Sequence, residues 1–335
     1  MEEKMPIEEK MPMQEKMPMQ EKMPIEDRNA KRTLNVIGAG RVGCLIGLLC
    51  RWHGVAQVQD VLGRDRSRTQ AAVTQIGSGI AVTDITSMRP ARLWLVTTPD
   101  AQIAPLAAQL AKAALVRAGD VVIHCSGALG SAVLAPLQAQ GALIASVHPL
   151  KSVADALTAA DTFAGTFCAL EGDAAALAVV QPLFISLGAR CAILSAEQKL
   201  RYHTASVLVC NGLTALIEAG LRTYQLAGIE RNAGMALLTP LMQETLSHAN
   251  RLGAARALTG PVARGDAGVV AQQLTLLRPL DPAVAAIYQA LSVVALDLAK
   301  VQGVASVADL AAVGEVLAQA ADAECAPPCI LKKSL

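Results

Sequence analysis

Aromatic residues are scarce in this chain of 335 residues, and neither sign of charge is in excess. Phe, Trp and Tyr together make up 2% of the chain, and 29 basic side chains are balanced by 28 acidic ones. Proteins that bind nucleic acid or membrane surfaces rely on a positive field, and those that bind single strands also use aromatic side chains for base stacking. We therefore expect neither nucleic acid nor a membrane as a partner.

Signals for export and for metal binding are also missing. The first residues are charged and lack the apolar core of a signal peptide, and the longest apolar run, residues 283–296, is shorter than a membrane span. The eight cysteines lie in apolar stretches, and the closest pair, Cys325 and Cys329, has no histidine partner. This pattern predicts reduced thiols, no metal site and a cytoplasmic location.

A charged hexapeptide repeat occupies residues 2–25, as EEKMPI, EEKMPM, QEKMPM and QEKMPI. A proline in every unit stops a helix, and Glu–Lys pairs cannot form a core. The pattern predicts a disordered tail over residues 1–31, and a second flexible tail is expected over residues 324–335. A strip that binds a partner is the alternative interpretation of the repeat.

Short apolar runs of β-type composition recur through the first part of the chain, with helical patterns between most of them. They cover residues 33–37, 58–62, 93–97, 121–125, 143–147, 166–170 and 190–194. Such alternation predicts a mostly parallel sheet with helices on both faces. From the capping box of Ser195 and Gln198 onward, only helical patterns follow. The predicted fold is therefore α/β, with a Rossmann-type domain over residues 32–195 and an all-α domain over residues 196–323.

A glycine-rich segment after the first strand matches the G-x-G-x-x-G pattern of dinucleotide-binding proteins. It consists of Gly38, Ala39, Gly40, Arg41, Val42 and Gly43. The first glycine allows the tight turn, the second lets the backbone approach a pyrophosphate, and the third lets helix and strand pack closely. A glycine turn without a ligand is the alternative, but the position between a strand and a helix favours a cofactor.

The end of the second strand indicates which cofactor is bound. NAD-binding proteins place an acid about 20 residues after the glycines, whereas Arg64 occupies that place here. Guanidinium and hydroxyl groups from Arg64, Ser67 and Arg68 suit a 2′-phosphate, which predicts NADP. Asp60 is discounted because it falls inside the strand. A solvated basic loop is the alternative.

Three polar turns follow later strands. Thr98 and Pro99 form the first and are expected to contact the cofactor. Ser126 lies in the second, and His148 and Lys151 lie in the third. Each could be only a turn, but the carboxyl ends of parallel strands meet at one edge, where ligands bind. We therefore expect Ser126 and His148 to take part in the chemistry and Lys151 to bind substrate.

The helix after Ser195 carries Lys199 and His203, which are four residues apart and share one face. Either group could donate a proton to a carbonyl oxygen during hydride transfer, and Asn211 could assist by hydrogen bonding. A surface lysine beside a half-buried histidine is the alternative. Further along, Arg264 in a Gly/Pro-rich loop could bind a substrate carboxylate or a cofactor phosphate, or it could pair with Asp266 and fix the turn.

Several motifs occur together and in order: GAGRVG, HCSGALG, VHPLKS, KLRYH with Asn211 downstream, and LTGPVARGD. With them, the chain resembles the Rossmann-like proteins whose helical C-terminal domain is known as domain of unknown function 2520. The resemblance covers about residues 32–320 and implies an NADP-dependent oxidoreductase. The layout is similar to that of the 6-phosphogluconate dehydrogenase superfamily, which includes pyrroline-5-carboxylate reductase, ketopantoate reductase and the β-hydroxyacid dehydrogenases.

The resemblance also implies a homodimer formed through the helical domain, and it bears on the catalytic residues. That superfamily uses a catalytic lysine with an asparagine one turn later. Lys199 matches the lysine, but His203 stands where the asparagine would be. This departure argues against the β-hydroxyacid reaction.

Two functions stay open at this point. The first is an enzyme that uses NADPH to reduce a small carbonyl or imine, or runs the reverse reaction. The second is a non-catalytic NADP(H)-binding regulator whose helical domain reports the cofactor state to a protein partner. NADPH consumption with a metabolite would favour the enzyme, and tight binding without turnover would favour the regulator.

Overall fold

The computed structural model describes residues 32–322, which divide into two compact units. The first unit ends at His203 and the second begins at Thr204. Residues 196–203, predicted to open the helical domain, therefore belong to the first unit. The predicted tails over residues 1–31 and 324–335 lie outside the described residues.

The first unit is built around one eight-stranded sheet. Its strands are β1 Arg32–Ile37, β2 Ala56–Leu62, β3 Ile80–Val82, β4 Leu93–Val96, β5 Val121–His124, β6 Leu143–Pro149, β7 Phe167–Gly172 and β8 Arg190–Ile193. Their order across the sheet is β3-β2-β1-β4-β5-β6-β7-β8. Strand β7 runs antiparallel to β6 and parallel to β8, so β7 and β8 run opposite to the other six strands. The strand order reverses between β1 and β4, and ligands of open α/β sheets bind at the carboxyl ends of the strands beside such a point.

Helices cover both faces of the sheet. They are α1 Arg41–Trp52, α2 Arg66–Ile76, α3 Asp100–Ala113, α4 Ala135–Gln138, α5 Ala156–Asp161 and α6 Ala174–Ser186. Neighbouring residues of a strand point to opposite faces, so Val36 packs in the core under α1, α2, α5 and α6, while Ile37 packs in the core under α3 and α4. Burial on both faces explains why the strands are almost continuously apolar.

A long helix, α7 Ala196–Leu226, begins in the first unit and continues into the second. The remaining helices are α8 Arg231–Leu252, α9 Ala254–Ala257, α10 Ala267–Leu280, α11 Pro282–Gln302 and α12 Val307–Asp322. Val270 of α10 and Val313 of α12 lie in the core of the second unit. Asp266 and Asp281 cap α10 and α11 through their carboxylates. The predicted combination of a mostly parallel Rossmann-type sheet with a following helical region is confirmed.

The second unit leaves much apolar surface exposed. Leu208 on α7, Leu246 on α8 and Val294 on α11 are 71%, 72% and 59% exposed. By length and composition, α7 and α11 would also be long and apolar enough to cross a membrane, a test that core helices of soluble proteins pass as well. The expectation that no membrane is a partner therefore stays a prediction.

Candidate active site

The glycine-rich turn between β1 and α1 has the form that a dinucleotide-binding loop requires. Gly38 has a φ of 108°, in the region that favours glycine, and its N–H donates to Leu62 O at 2.9 Å. A Cβ on Gly43 would collide with Gly38 O, so the third glycine allows the helix to approach the turn. Thr97 Oγ1 donates to Gly38 O at 2.9 Å and ties the turn to the end of β4.

The N-terminus of α1 is open for a ligand. Gly40 is its N-cap residue, and among the described residues no side chain caps the helix and nothing lies within 4 Å of a Cβ placed on Gly40. Arg41 is exposed at the first helical position, while Ala39 and Val42 are half-buried against the core. The free N–H groups and the positive end of the helix dipole therefore suit a phosphate group.

The loop after β2 adjoins this turn. A Cβ on Gly63 would lie 3.2 Å from the Cβ of Ala39, so the two loops are in contact. Asp65, the acid in this loop, is engaged as the N-cap of α2 and accepts from the backbone N–H of Arg68 at 2.8 Å. Arg64, Arg66, Ser67 and Arg68 are also exposed there and offer guanidinium and hydroxyl groups. The residues present therefore fit a phosphorylated ribose better than a free one.

Asp60 is committed elsewhere. Its side chain is buried inside β2 and forms an ion pair with Arg89 at 2.6 Å, while the backbone N–H of Arg89 donates to the same carboxylate at 2.7 Å. A carboxylate with these partners is not available to a ribose, which agrees with its exclusion on the sequence.

Thr98 and Pro99 connect β4 to α3. Pro99 is the N-cap residue of α3, and Thr98 Oγ1 is buried without a hydrogen-bond partner in the part of the chain that the structure describes. Because buried hydroxyls are almost always paired, an orphaned one marks a place for a ligand atom. The predicted cofactor contact of Thr98 is compatible with this geometry and stays a prediction.

A second loop, residues 126–131 after β5, is fixed by its own polar groups. The Ser126 hydroxyl donates to Asp100 Oδ2 at 2.8 Å and accepts from the N–H groups of Ala128 and Leu129. The N–H of Ser126 donates to His124 Nδ1 at 3.2 Å. A hydroxyl offers one donor and two acceptor positions, and all three are used. Ser126, predicted to take part in the chemistry, is thus engaged in holding the loop.

His124 and Glu171 hold the other end of the 126–131 loop. Because Nδ1 of His124 accepts from Ser126, its Nε2 carries the proton and donates to Gly130 O at 3.1 Å. Burial lowers the pKa of His124 to about 4, so the ring is neutral at pH 7. The Glu171 carboxylate accepts from the N–H and the hydroxyl of Ser131 at 2.6 and 2.8 Å. The loop is therefore anchored at both ends.

Lys199, near the start of α7, is completely buried under the same loop. Its Nζ donates to Ser126 O at 2.6 Å and also to Leu129 O and Ser146 Oγ. Burial lowers the pKa of Lys199 to about 8, against the opposing effect of the Glu171 carboxylate. An ammonium group has three donors, and all three are occupied. The geometry therefore argues against the expected role of Lys199 as the proton donor to a substrate.

His148, in β6, and His203, in α7, form an edge-to-face pair. Their ring centroids are 5.1 Å apart at an interplanar angle of 88°. A Cβ on Gly127 would collide with His203 Nδ1 and lie 2.9 Å from His148 Nε2, so the 126–131 loop touches both rings. Burial lowers the pKa of His148 to about 4. Both Nδ1 atoms are buried and, within residues 32–322, have no hydrogen-bond partner, so they are available to a ligand or to a water molecule.

Three other predicted residues have different surroundings. Lys151 Nζ donates to Thr162 O, at the end of α5, at 2.8 Å. Asn211 and Arg264 belong to the second unit and are exposed there. Asp266 caps α10, and no ion pair between Arg264 and Asp266 occurs in the described chain. The assisting role of Asn211 in the chemistry and the substrate-binding roles of Arg264 and Lys151 stay predictions.

Sequence reasoning missed five residues that shape this edge of the sheet: Thr97, His124, Gly127, Ser146 and Glu171. The HCSG segment carried a signal, because a histidine at a strand end next to Ser-Gly is a typical polar cluster. Ser146 and Glu171 lie inside strands and gave none. Between residues 32 and 322, no group of three or more His, Cys, Asp or Glu side chains could hold a metal ion.

Two family models match the chain in succession. A Rossmann-like domain matches residues 17–149, and a domain of unknown function, DUF2520, matches residues 166–294. The chain therefore carries a Rossmann-like domain followed by a DUF2520 domain. A comparison with curated proteins finds no significant match.

Solved structures share the fold of this DUF2520 protein. A candidate NADP oxidoreductase from Bacteroides fragilis is 19% identical with a TM-score of 0.66, over 79% of this chain and 98% of its own. A protein from Thermotoga maritima is 25% identical with a TM-score of 0.61, over 80% and 99%. An imine reductase from Myxococcus stipitatus, solved with NADP+, is 14% identical with a TM-score of 0.53, over 87% and 95%.

Proposed function

We propose that this DUF2520 protein is an NADP(H)-dependent oxidoreductase that transfers a hydride to or from a small carbonyl, imine or hydroxy compound. The observation that carries the proposal is the pair of buried imidazole nitrogens of His148 and His203, which have no partner among the described residues. They lie in the unit that also carries the open glycine-rich turn, which the dinucleotide site needs.

The residues that would hold the cofactor are those of two adjoining loops. The open N-terminus of α1, beginning at Gly40, would take the pyrophosphate, and Arg64, Ser67 and Arg68 would take the 2′-phosphate. Bound NADP(H) would supply or accept the hydride. The imine reductase of Myxococcus stipitatus, which shares the fold, is solved with NADP+, and this supports the proposal.

The histidine pair would manage the proton. When a hydride forms the new C–H bond, the electron pair of the C=O or C=N double bond moves to the oxygen or nitrogen, which must then take a proton. His203 would donate that proton, and His148, kept neutral by burial, would hydrogen-bond to the same substrate atom. In the oxidative direction, His203 would accept the proton of the hydroxyl or amine. We assign Lys199 no part in this step, because its three donors are occupied.

The exposed apolar surface of the second unit supports a homodimer. A groove of about 620 Å³ lies among α7, α8, α10 and α11. Leu213, Leu216, Leu276 and Leu291 line it, and each is between 43% and 60% exposed. Monomeric soluble proteins rarely leave contiguous apolar patches of this kind uncovered. We propose that a second copy of the chain covers the groove.

Titration calorimetry with NADPH, followed by an NADPH-consumption assay, tests the proposal. The assay would use a panel of small aldehydes, ketones, imines and 2-oxo acids, with alcohols and amines for the reverse direction. We expect NADPH binding and turnover of at least one class. Failure to bind NADPH would contradict the cofactor assignment. Tight binding without turnover across the panel would favour the non-catalytic regulator.

A further inference from the structure

The buried ammonium group of Lys199 acts on a loop and not on solvent. The side chain has no exposed surface, and its Nζ donates to two backbone carbonyls of the 126–131 loop, Ser126 O and Leu129 O. The third hydrogen bond goes to Ser146 Oγ in β6. Lys199 therefore joins the start of α7, the loop and the sheet at one point.

The loop that Lys199 holds is in contact with both rings of the histidine pair. Gly127 lies inside the loop, and even a methyl group there would collide with His203 Nδ1 and lie 2.9 Å from His148 Nε2. A displacement of the loop by a few tenths of an ångström would therefore change the space around both imidazoles. Lys199 and His203 also lie one turn apart on α7, so the same helix turn fixes the cation and one ring.

We propose that Lys199 is a positioning residue, whose buried ammonium group holds the 126–131 loop against His148 and His203 and keeps both rings in place. The inference rests on the proposed function, in which the histidine pair handles the proton. It assigns to Lys199 an action through the loop and through its electric field, and no contact with the substrate.

The charges around Lys199 agree with this role. The groups that face it are Glu171 on β7, Asp100 at the start of α3, the neutral thiol of Cys125, and the rings of His124 and His148. After burial and His203, the charge of Lys199 is the next cause that lowers the pKa of His148. A cation fixed in a poorly solvated site raises the cost of adding a second positive charge nearby.

Histidine titrations by NMR test the inference without substrate or cofactor. The chain has five histidines, so the imidazole signals of 15N-labelled protein can be assigned with single His→Gln variants. In Lys199→Met, we expect the midpoints of His148 and His124 to rise by about 1 pH unit, and the ring signals of His203 to move. The matched control is Lys112→Met, which removes an exposed lysine from α3 and should leave all three histidines unchanged.

The unmodified protein provides a second test in case Lys199→Met does not fold. Between pH 7 and 9.5, the ring signals of His148 should show an inflection with the same midpoint as the Nζ signal of Lys199, near 8. Unchanged histidine signals in a folded Lys199→Met protein would overturn the inference, as would a titration of Lys199 in the unmodified protein that leaves the His148 signals unchanged. Either result would leave NADPH binding, and with it the proposed function, intact.

Discussion

The imidazole of His203 meets the imidazole of His148 edge to face, with centroids 5.1 Å apart, although the two residues lie on α7 and β6. Each ring leaves its Nδ1 buried and, in residues 32–322, unpaired. A pair of this kind can hydrogen-bond to one substrate atom from two directions. Both rings belong to the first unit, which also carries the glycine-rich turn.

Replacing His203 should separate chemistry from cofactor binding. Loss of a general acid typically costs roughly 100- to 10,000-fold in rate, so we expect that loss in kcat for His203→Ala. The NADPH dissociation constant should stay within a factor of about two, because the glycine-rich turn is built from other residues. His53→Ala, which removes an exposed histidine after α1, is the control. Full activity of His203→Ala would show that another group supplies the proton.

Arg64→Ala should reduce the preference for NADPH over NADH. We expect the unmodified protein to bind NADPH at least roughly tenfold more tightly, or about 1.4 kcal/mol, which one charge-assisted pair can provide. The Arg64→Ala variant should lose most of this difference in affinity. The control is Arg190→Ala, which removes an exposed arginine from β8 and should keep the difference. Fluorescence titration with both cofactors measures the ratio. Equal affinities in the unmodified protein would contradict the assignment of NADP.

Gly127→Ala should impair turnover more than it impairs folding. The added methyl group would collide with His203 Nδ1, so the ring must move away from its partner. We expect kcat to fall at least roughly tenfold, with NADPH affinity unchanged. Gly268→Ala in the first turn of α10 is the control, because its Cβ meets its nearest atom at 3.7 Å. Equal activity of the two variants would mean that the position of the histidine ring does not matter.

Acid should destabilise the protein between about pH 6.5 and pH 4. His124 and His148 have pKa values lowered from 6.5 to about 4 in the folded state, so in that window the unfolded chain binds protons that the folded chain does not. The contribution of these two histidines to the free energy of unfolding is fully present above pH 6.5 and is lost as the pH falls towards 4. Each such proton contributes roughly 1.4 kcal/mol per pH unit. Urea unfolding curves of the unmodified protein and of His124→Gln should show a shallower pH dependence for the variant, and an identical slope would contradict the assignment.

Association of the second unit should depend on the apolar groove. We expect a dimer by light scattering at micromolar concentration, and Leu276→Asp, which places a carboxylate in the groove, should shift it to monomer. The control is Leu157→Asp, which changes an exposed leucine on α5 in the first unit and should leave the dimer unchanged. A monomeric unmodified protein would contradict the proposal, and its co-sedimentation with phosphatidylcholine vesicles would indicate that lipid covers the groove instead.

The sequence predicted the sheet and the glycine-rich turn because both are local patterns. The run at residues 33–37 became β1 Arg32–Ile37, and the run at residues 143–147 became the longer β6 Leu143–Pro149. The strand β3 Ile80–Val82 was missed because it has three residues, too few to show a period. The helix α12 Val307–Asp322 was missed in an Ala-rich stretch, although Ser306 and Asp309 at its start form a cap that the sequence pattern could have indicated.

The candidate site was predictable only where its residues follow strands. His148 stands at a strand end, and His203 was found from its helix spacing. The surroundings of Lys199 were not accessible, because its acceptors lie 73, 70 and 53 residues away in the sequence. Helix periodicity shows on which face of the helix a lysine lies, but not which groups its amine will contact. In the sequence, a lysine that is buried for structural reasons therefore cannot be told from a catalytic one.

The grouping of the buried Lys199 and Ser146 with the half-buried Glu171 constrains how this chain can diverge. A lineage that replaced the lysine alone would leave two carbonyl oxygens without a donor and a nearby carboxylate without its counter-charge. Substitutions at these three positions should therefore occur together among descendants of a common ancestor, whereas the exposed Arg64 can drift singly as the available cofactor changes. Correlated replacement at positions 146, 171 and 199 would be the evolutionary record of this buried contact.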